Sequence, residues 1–196
     1  MPYMFDREYV PFTDDFMFCS VLTANPQLAG ELVGVILGKK VSRIEFVEPQ
    51  KSVKIAMDAK GVRFDVYIED EENTVYDIEL QTTSQRDLAK RMRYYQGMID
   101  LNLIQSGSPY AKLKRSYVIF ICMNDPFGRN CPIYTFDSMC HEVDGLCLGD
   151  EATKVVVNAA CTAETVEGEL KPYCTFSTAT GVPPALQKRW NKRSAI

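Results

Sequence analysis

The spacing of apolar residues changes several times along the chain, and each change marks a new element. Residues 13–38, "TDDFMFCSVLTANPQLAGELVGVILG", place Phe16, Val21, Leu22, Leu28, Leu32, Val33 and Ile36 at helical intervals. That predicts one or two helices, capped by Thr13 or Asp14 and stopped near Gly38. "SRIEFVEP" predicts a strand ended by Pro49, since proline cannot donate to a ladder. Beyond it, Val62, Phe64, Val66 and Ile68 alternate onto one strand face, with Arg63, Asp65 and Tyr67 on the other. After the turn "DEEN", Val75, Asp77, Glu79 and Gln81 share one face, opposite Tyr76, Ile78 and Leu80.

Residues 84–107, "SQRDLAKRMRYYQGMIDLNLIQSG", read as a helix with Ser84 as its cap and Gly107 as its stop. Leu88, Met92, Tyr95, Ile99 and Leu103 form its apolar stripe, while Arg86, Lys90, Arg91 and Arg93 crowd its first half. "SYVIFICMN" is a continuous apolar run, as expected of a strand buried on both faces. "PIYTFDSMC" and "TKVVVNAAC" supply two more strands. The order helix, three strands, helix, three strands predicts an α/β core around a mixed sheet.

The hairpin of residues 64–81 is the unusual part. Asp65, Glu79 and Gln81 lie inside strands, where apolar residues are the ordinary choice. Asp65 stands opposite Glu79 only if the loop between the strands holds three or five residues; two or four would set it against Ile78. Two carboxylates on neighbouring strands suit Mg²⁺, which takes one or two protein carboxylates and keeps waters or phosphate oxygens for the rest. A solvated hairpin face accounts for the same residues. The turn acids Asp70, Glu71 and Glu72 read as loop solvation.

Composition narrows the function without naming it. A chain of 196 residues suggests one domain, and 46% apolar with 24% charged residues is ordinary for a globular protein. The net charge of −4 argues against a wholly basic nucleic-acid-coating protein, yet leaves room for a local basic face. No apolar run reaches the roughly eighteen residues of a membrane span, and "MPYMFDREYV" is no signal peptide, so a cytoplasmic protein with no membrane partner is expected. The seven cysteines form no CxxC pair and read as free thiols. Cys131, Cys140, His141 and Cys147 match no usual zinc spacing, and no acid or nucleophile is placed beside His141, the single histidine, to make it a general base.

Several motifs occur in a familiar order: "TDDFMF", "GVRFDVYIED", "YDIELQ", "KRMRYYQGMIDLNLIQSG" and "PIYTF". Over residues 8–160 the chain resembles the PD-(D/E)XK nuclease superfamily, and within it the Rpn-type recombination-promoting nucleases and transposases. The resemblance implies a restriction-endonuclease-like fold, a mixed central sheet flanked by helices, and metal-dependent cleavage of DNA with Mg²⁺, or Mn²⁺ in its place. It implies Asp65 and Glu79 as metal ligands and Asp65, Glu79 and Gln81 as the catalytic set. Gln81 stands where the wider superfamily has lysine; glutamine can orient a water but carries no charge. Asp15 matches an acid of the first helix and Arg91 the arginine of an R-x-x-Y-Y helix, both as accessory residues. Cys19 stands where the group often has lysine.

Arg86, Lys90 and Arg93 are the expected DNA contacts, and DNA the expected partner, with a homodimer as the assembly considered. An inactive remnant, keeping the fold as a DNA- or protein-binding module, is the alternative. Residues 1–168 are expected to form the nuclease-like domain, and 169–196 a poorly ordered tail. "KPYCTFSTATGVPPALQKRWNKRSAI" lacks the leucine- and charge-rich helical pattern that the family continues with. A one-base frame shift near residues 171–173 would produce such a tail, leaving the basic "QKRWNKR" without an evolved role; the gene sequence decides it.

Overall fold

Asp14 opens the fold. Its carboxylate accepts hydrogen bonds from the backbone N–H groups of Phe16 (3.0 Å) and Met17 (3.1 Å), which no helical carbonyl can satisfy. It thereby caps α1 (Asp15–Ala24), and α2 (Pro26–Leu37) follows after Asn25. Proline suits the first position of α2, where no N–H is needed, and Gly38 ends the helix at φ 60°. The computed structural model describes residues 14–54, 58 and 60–161; Thr13 and the tail 169–196 lie outside the described residues.

The strands are β1 (Ile44–Val53), β2 (Val62–Asp70), β3 (Val75–Gln81), β4 (Ser116–Cys122), β5 (Ile133–Phe136) and β6 (Ala152–Asn158). They form one sheet in the order β1-β2-β3-β4-β6-β5. The β3–β4 and β4–β6 pairs are parallel and the rest antiparallel, so the sheet is mixed as expected. Helices α1 and α2 cover one face, where Phe18, Leu22, Leu32 and Val33 pack on Ile78, Ile119 and Val155. Helix α3 (Leu88–Leu103) covers the other, with Leu88, Met92 and Ile99 packed on Val118, Phe120 and Val156. Alternation along β4 feeds both cores, which is why its sequence is apolar throughout. The result is the α/β restriction-endonuclease-like architecture.

Four local expectations are corrected. Strand β1 runs through Pro49 to Val53, because an edge strand has an unpaired side that tolerates a missing N–H. Phe16 is 69% exposed; the buried stripe of α1 runs through Phe18 and Leu22. Helix α3 begins at Leu88, so Ser84 does not cap it and Arg86 falls in the preceding turn. Strand β2 does not keep one face: Val62 and Phe64 pack beneath α3, whereas Val66 and Ile68 pack beneath α1 and α2. A regular strand would put all four together. Strand β2 turns over at Asp65, and on β1 the residue between the partners of Phe64 and Val66, Gln50, takes φ 52°. Such paired irregularities re-aim side chains.

The hairpin register has the required parity. Glu69 pairs with Val75 and Val66 with Ile78, and the Asp70 N–H reaches the Thr74 carbonyl at 3.1 Å. The loop is therefore Glu71, Glu72 and Asn73, with Asn73 in the left-handed region at φ 62°. Asp70 is no loop solvator: it is 2% exposed and accepts from Glu72 N (3.0 Å), Thr74 N (2.8 Å) and Tyr76 Oη (2.9 Å). Its side chain holds the turn that sets the register. Asp70→Ala strands three donors, and urea denaturation should show a loss of about 3 kcal/mol; a loss no larger than for a surface alanine substitution would refute that role.

Candidate active site

At Asp65 the β2–β3 ladder changes character. Asp65 N–H donates to Glu79 Oε1 at 2.8 Å. One residue further along β3, Leu80 N–H donates to Asp65 Oδ2 at 3.1 Å. Each carboxylate thus accepts a backbone N–H of the other strand, and both face the same cavity of about 760 Å³. From behind, Cys19 of α1 donates its thiol to the Asp65 carbonyl at 3.3 Å. The residue at the departure from the family pattern therefore buttresses the backbone of Asp65.

The cavity opens at the carboxyl end of β3, where Gln81 aligns with Cys122 of parallel β4. Open α/β sheets habitually place ligands at that edge. Arg91 of α3 reaches over it. Its Nη1 donates to Gln81 Oε1 (2.5 Å) and Gln85 Oε1 (2.7 Å), and its Nη2 to Tyr95 Oη (3.4 Å) while standing 3.8 Å from Glu79 Oε2. Gln81 in turn donates its Nε2 to the Thr83 carbonyl at 2.7 Å. Both ends of the Gln81 amide are engaged, one by a cation and one by the loop that leads to α3.

Burial and like charge govern the acids. Burial first, and then the charge of Asp65, push Glu79 up from 4.5 to about 8, against the opposing hydrogen bond from Asp65 N–H. Asp77, one pleat behind on the same face, is fully buried and its pKa lies well above the usual range. Burial is the main cause, followed by the charge of Glu79 and a hydrogen bond with it. As a carboxylate Asp77 finds no donor among the described residues; as an acid it can donate to Glu79. Two acids that repel each other across a cavity, with oxygen the only donor atom, are a donor set fitted to a hard divalent cation. No three His, Cys, Asp or Glu side chains form a ready cage among the described residues.

The cavity rim reverses the charge of the molecule as a whole. Lys60, Arg63, Lys90, Arg91 and Arg93 line it with only Asp65, Glu79 and Asp87 as acids. Lys60, Arg63, Lys90 and Arg93 are exposed, and none forms an ion pair among the described residues. Tyr94 ties the two walls together by donating its Oη to the Lys60 carbonyl at 2.5 Å.

The structure therefore brings Asp65, Glu79, Gln81, Arg91, Lys90 and Arg93 to one cavity and leaves Arg86 out of its lining. Asp15 is the first residue of α1, and its side chain is outside the described residues. His141 is exposed, and Cys131 and Cys140 bond separately, to the Ile133 carbonyl and to Glu142. Sequence reading assigned no role to Asp77, Lys60, Arg63 or the Cys19 thiol. Asp77 was within reach through its period-two spacing from Glu79, and the cations through the alternating charge of "KGVRFD".

The raised Glu79 pKa has a sign that can be tested. Without metal, the folded chain holds a proton up to about pH 8 that the unfolded chain releases near 4.5. Stability should therefore be greatest below that window and fall as pH rises through it. Denaturation in chelator at pH 5 and pH 8 should show this decline, made shallower by Glu79→Gln; equal slopes for the two proteins would refute the buried proton.

No described helix is long and apolar enough to cross a bilayer. No curated protein and no solved structure matches the chain. The family described as PD-(D/E)XK nuclease family transposase matches residues 13–139, from the start of the first helix to beyond β5. That span contains both strands of the acidic hairpin, the helix carrying Arg91 and the whole lining of the cavity. The chain belongs to the PD-(D/E)XK nuclease family transposases.

Proposed function

We propose that this chain is a metal-dependent endonuclease that hydrolyses phosphodiester bonds in DNA, with Mg²⁺ as its ion and Mn²⁺ able to substitute. The observation that carries this reading is the reciprocal bonding of Asp65 and Glu79 at the floor of a cation-rimmed cavity. Asp65 and Glu79 would hold the ion, leaving its other positions to water and phosphate oxygens. A divalent ion held there lowers the pKa of a bound water and offsets charge on the phosphate. Asp15 is the accessory acid of the reading and Arg91 the accessory cation.

The chain's own residues do the rest. Lys90 and Arg93 on α3, with Lys60 and Arg63 across the cavity, attract a phosphodiester backbone; Arg86 adds charge ahead of the helix. Fixed by backbone bonds, buried Glu79 and half-buried Asp65 keep their geometry with little freedom to lose on binding. The reading covers cleavage alone. A full transposition reaction also needs end recognition and strand transfer.

A nicking assay on supercoiled plasmid with Mg²⁺ or Mn²⁺ tests the site. Asp65→Ala and Glu79→Ala should each slow cleavage by roughly two to three orders of magnitude. Equal activity in all three proteins would sink the assignment, and inactivity in all three would favour a non-catalytic binding module.

The rim makes a separate forecast about affinity. Removing two phosphate-contacting cations by Lys90→Ala with Arg93→Ala should weaken DNA binding for any sequence and reduce the slope of log K against log salt by about two. Anisotropy of a labelled duplex across a salt series, in chelator, measures it; an unchanged slope would remove α3 from the DNA interface.

A further inference from the structure

Arg91 is held in an unusual way for a surface helix arginine. Its two short hydrogen bonds go to neutral amide oxygens, Gln81 Oε1 and Gln85 Oε1, while the nearest carboxylate oxygen, Glu79 Oε2, stands 3.8 Å off. The guanidinium carbon also lies 5.0 Å from the centre of the Phe120 ring and 5.6 Å from that of Tyr95. Residues from β3, the β3–α3 connection, α3 and β4 thus converge on one planar cation. About a quarter of its side chain remains exposed, at the wall of the cavity that holds Asp65 and Glu79.

The identity of the Gln81 atoms follows from chemistry. A guanidinium only donates, so the atom facing Arg91 must be the amide oxygen, and the amide nitrogen then meets the Thr83 carbonyl. Held in that way, Gln81 has its carbonyl and one N–H committed and is poorly placed to orient a water. A cation satisfied by neutral acceptors keeps its charge for an incoming ligand. A cation placed only to neutralise Glu79 would close on it within hydrogen-bonding distance.

We propose that Arg91 is a catalytic residue that contacts a non-bridging oxygen of the scissile phosphate, and that Gln81 and Gln85 are positioning residues that hold its guanidinium. The inference rests on the hydrolytic reading above and assigns the charge that Gln81 itself cannot supply. In the step served, water adds to phosphorus, the bond from phosphorus to the leaving oxygen breaks, and the proton lost by the water ends on that oxygen. Arg91 transfers no proton. It offsets the negative charge that builds on the equatorial oxygens.

The plasmid assay, run with Asp65→Ala alongside, separates the two claims. Arg91→Ala should lower the cleavage rate constant by about a hundredfold or more with little change in the KM for DNA. Arg91→Lys should retain part of the rate, and Gln81→Lys placed in the Arg91→Ala background should restore part of it. Gln81→Ala should fall between wild type and Arg91→Ala. If Asp65→Ala abolishes cleavage while Arg91→Ala cleaves as fast as wild type, this inference fails and the metal site stands. A second measurement does not need turnover: inorganic phosphate titrated into chain carrying ¹⁵N-labelled arginine. The Arg91 side-chain signal, identified by its loss in Arg91→Ala, should shift in the wild type and shift less in Gln81→Ala. A signal that phosphate leaves unmoved would overturn the proposal.

Discussion

Everything at the cavity depends on two hydrogen bonds that cross between strands from backbone to side chain. Where β2 and β3 would normally continue to exchange N–H and carbonyl groups, Asp65 and Glu79 each put a carboxylate into the other strand's ladder. An unsatisfied buried N–H costs about as much as a lost hydrogen bond, so replacing either acid by an apolar residue disturbs the sheet as well as the site. The carboxylates that join the two strands are the same ones that line the cavity. The turnover of β2 at Asp65 belongs to the same compromise, because a flat, regular strand would aim this side chain elsewhere.

Much of this was legible in the sequence because it rests on local periodicity. The N-terminal helical region, the doubly buried β4 and the order of elements follow from spacing alone, whereas spacing left the hairpin with two possible parities that only the closed turn decides. What was not legible depends on partners distant in sequence. Nothing in "VRFDVYI" announces that Phe64 and Val66 face opposite layers, because alternation assumes a regular strand and the irregularity is shared with β1. Pro49 ends a strand only if both edges of that strand are paired. Asp70 read as a solvated turn acid, since its three donors become its neighbours only when the turn closes.

The candidate site divides along the same line. Asp65 and Glu79 were visible as polar residues in apolar strands, and the family resemblance placed them in a metal-binding motif. The relation between Gln81 and Arg91 was not visible, because it joins the last residue of a strand to the first turns of a helix whose start was misjudged. With Leu88 as the first helical residue, Gln85 sits in the connection and can turn its amide toward the guanidinium. Residue types alone suggested a water-orienting glutamine; the network gives it a cation to hold.

Cys19 gives the acidic floor a support from the opposite layer, and Asp77 gives it something less expected, a store of exchangeable hydrogen. Burial pushes Glu79 up to about 8 and Asp77 above the usual range, which favours protons on the floor when no metal is bound. If the proposed function holds, a divalent cation binding between Asp65 and Glu79 would have to displace such protons into solvent. Hydrogen ions and metal would then compete for one floor, and acidity would weaken the hold on the metal.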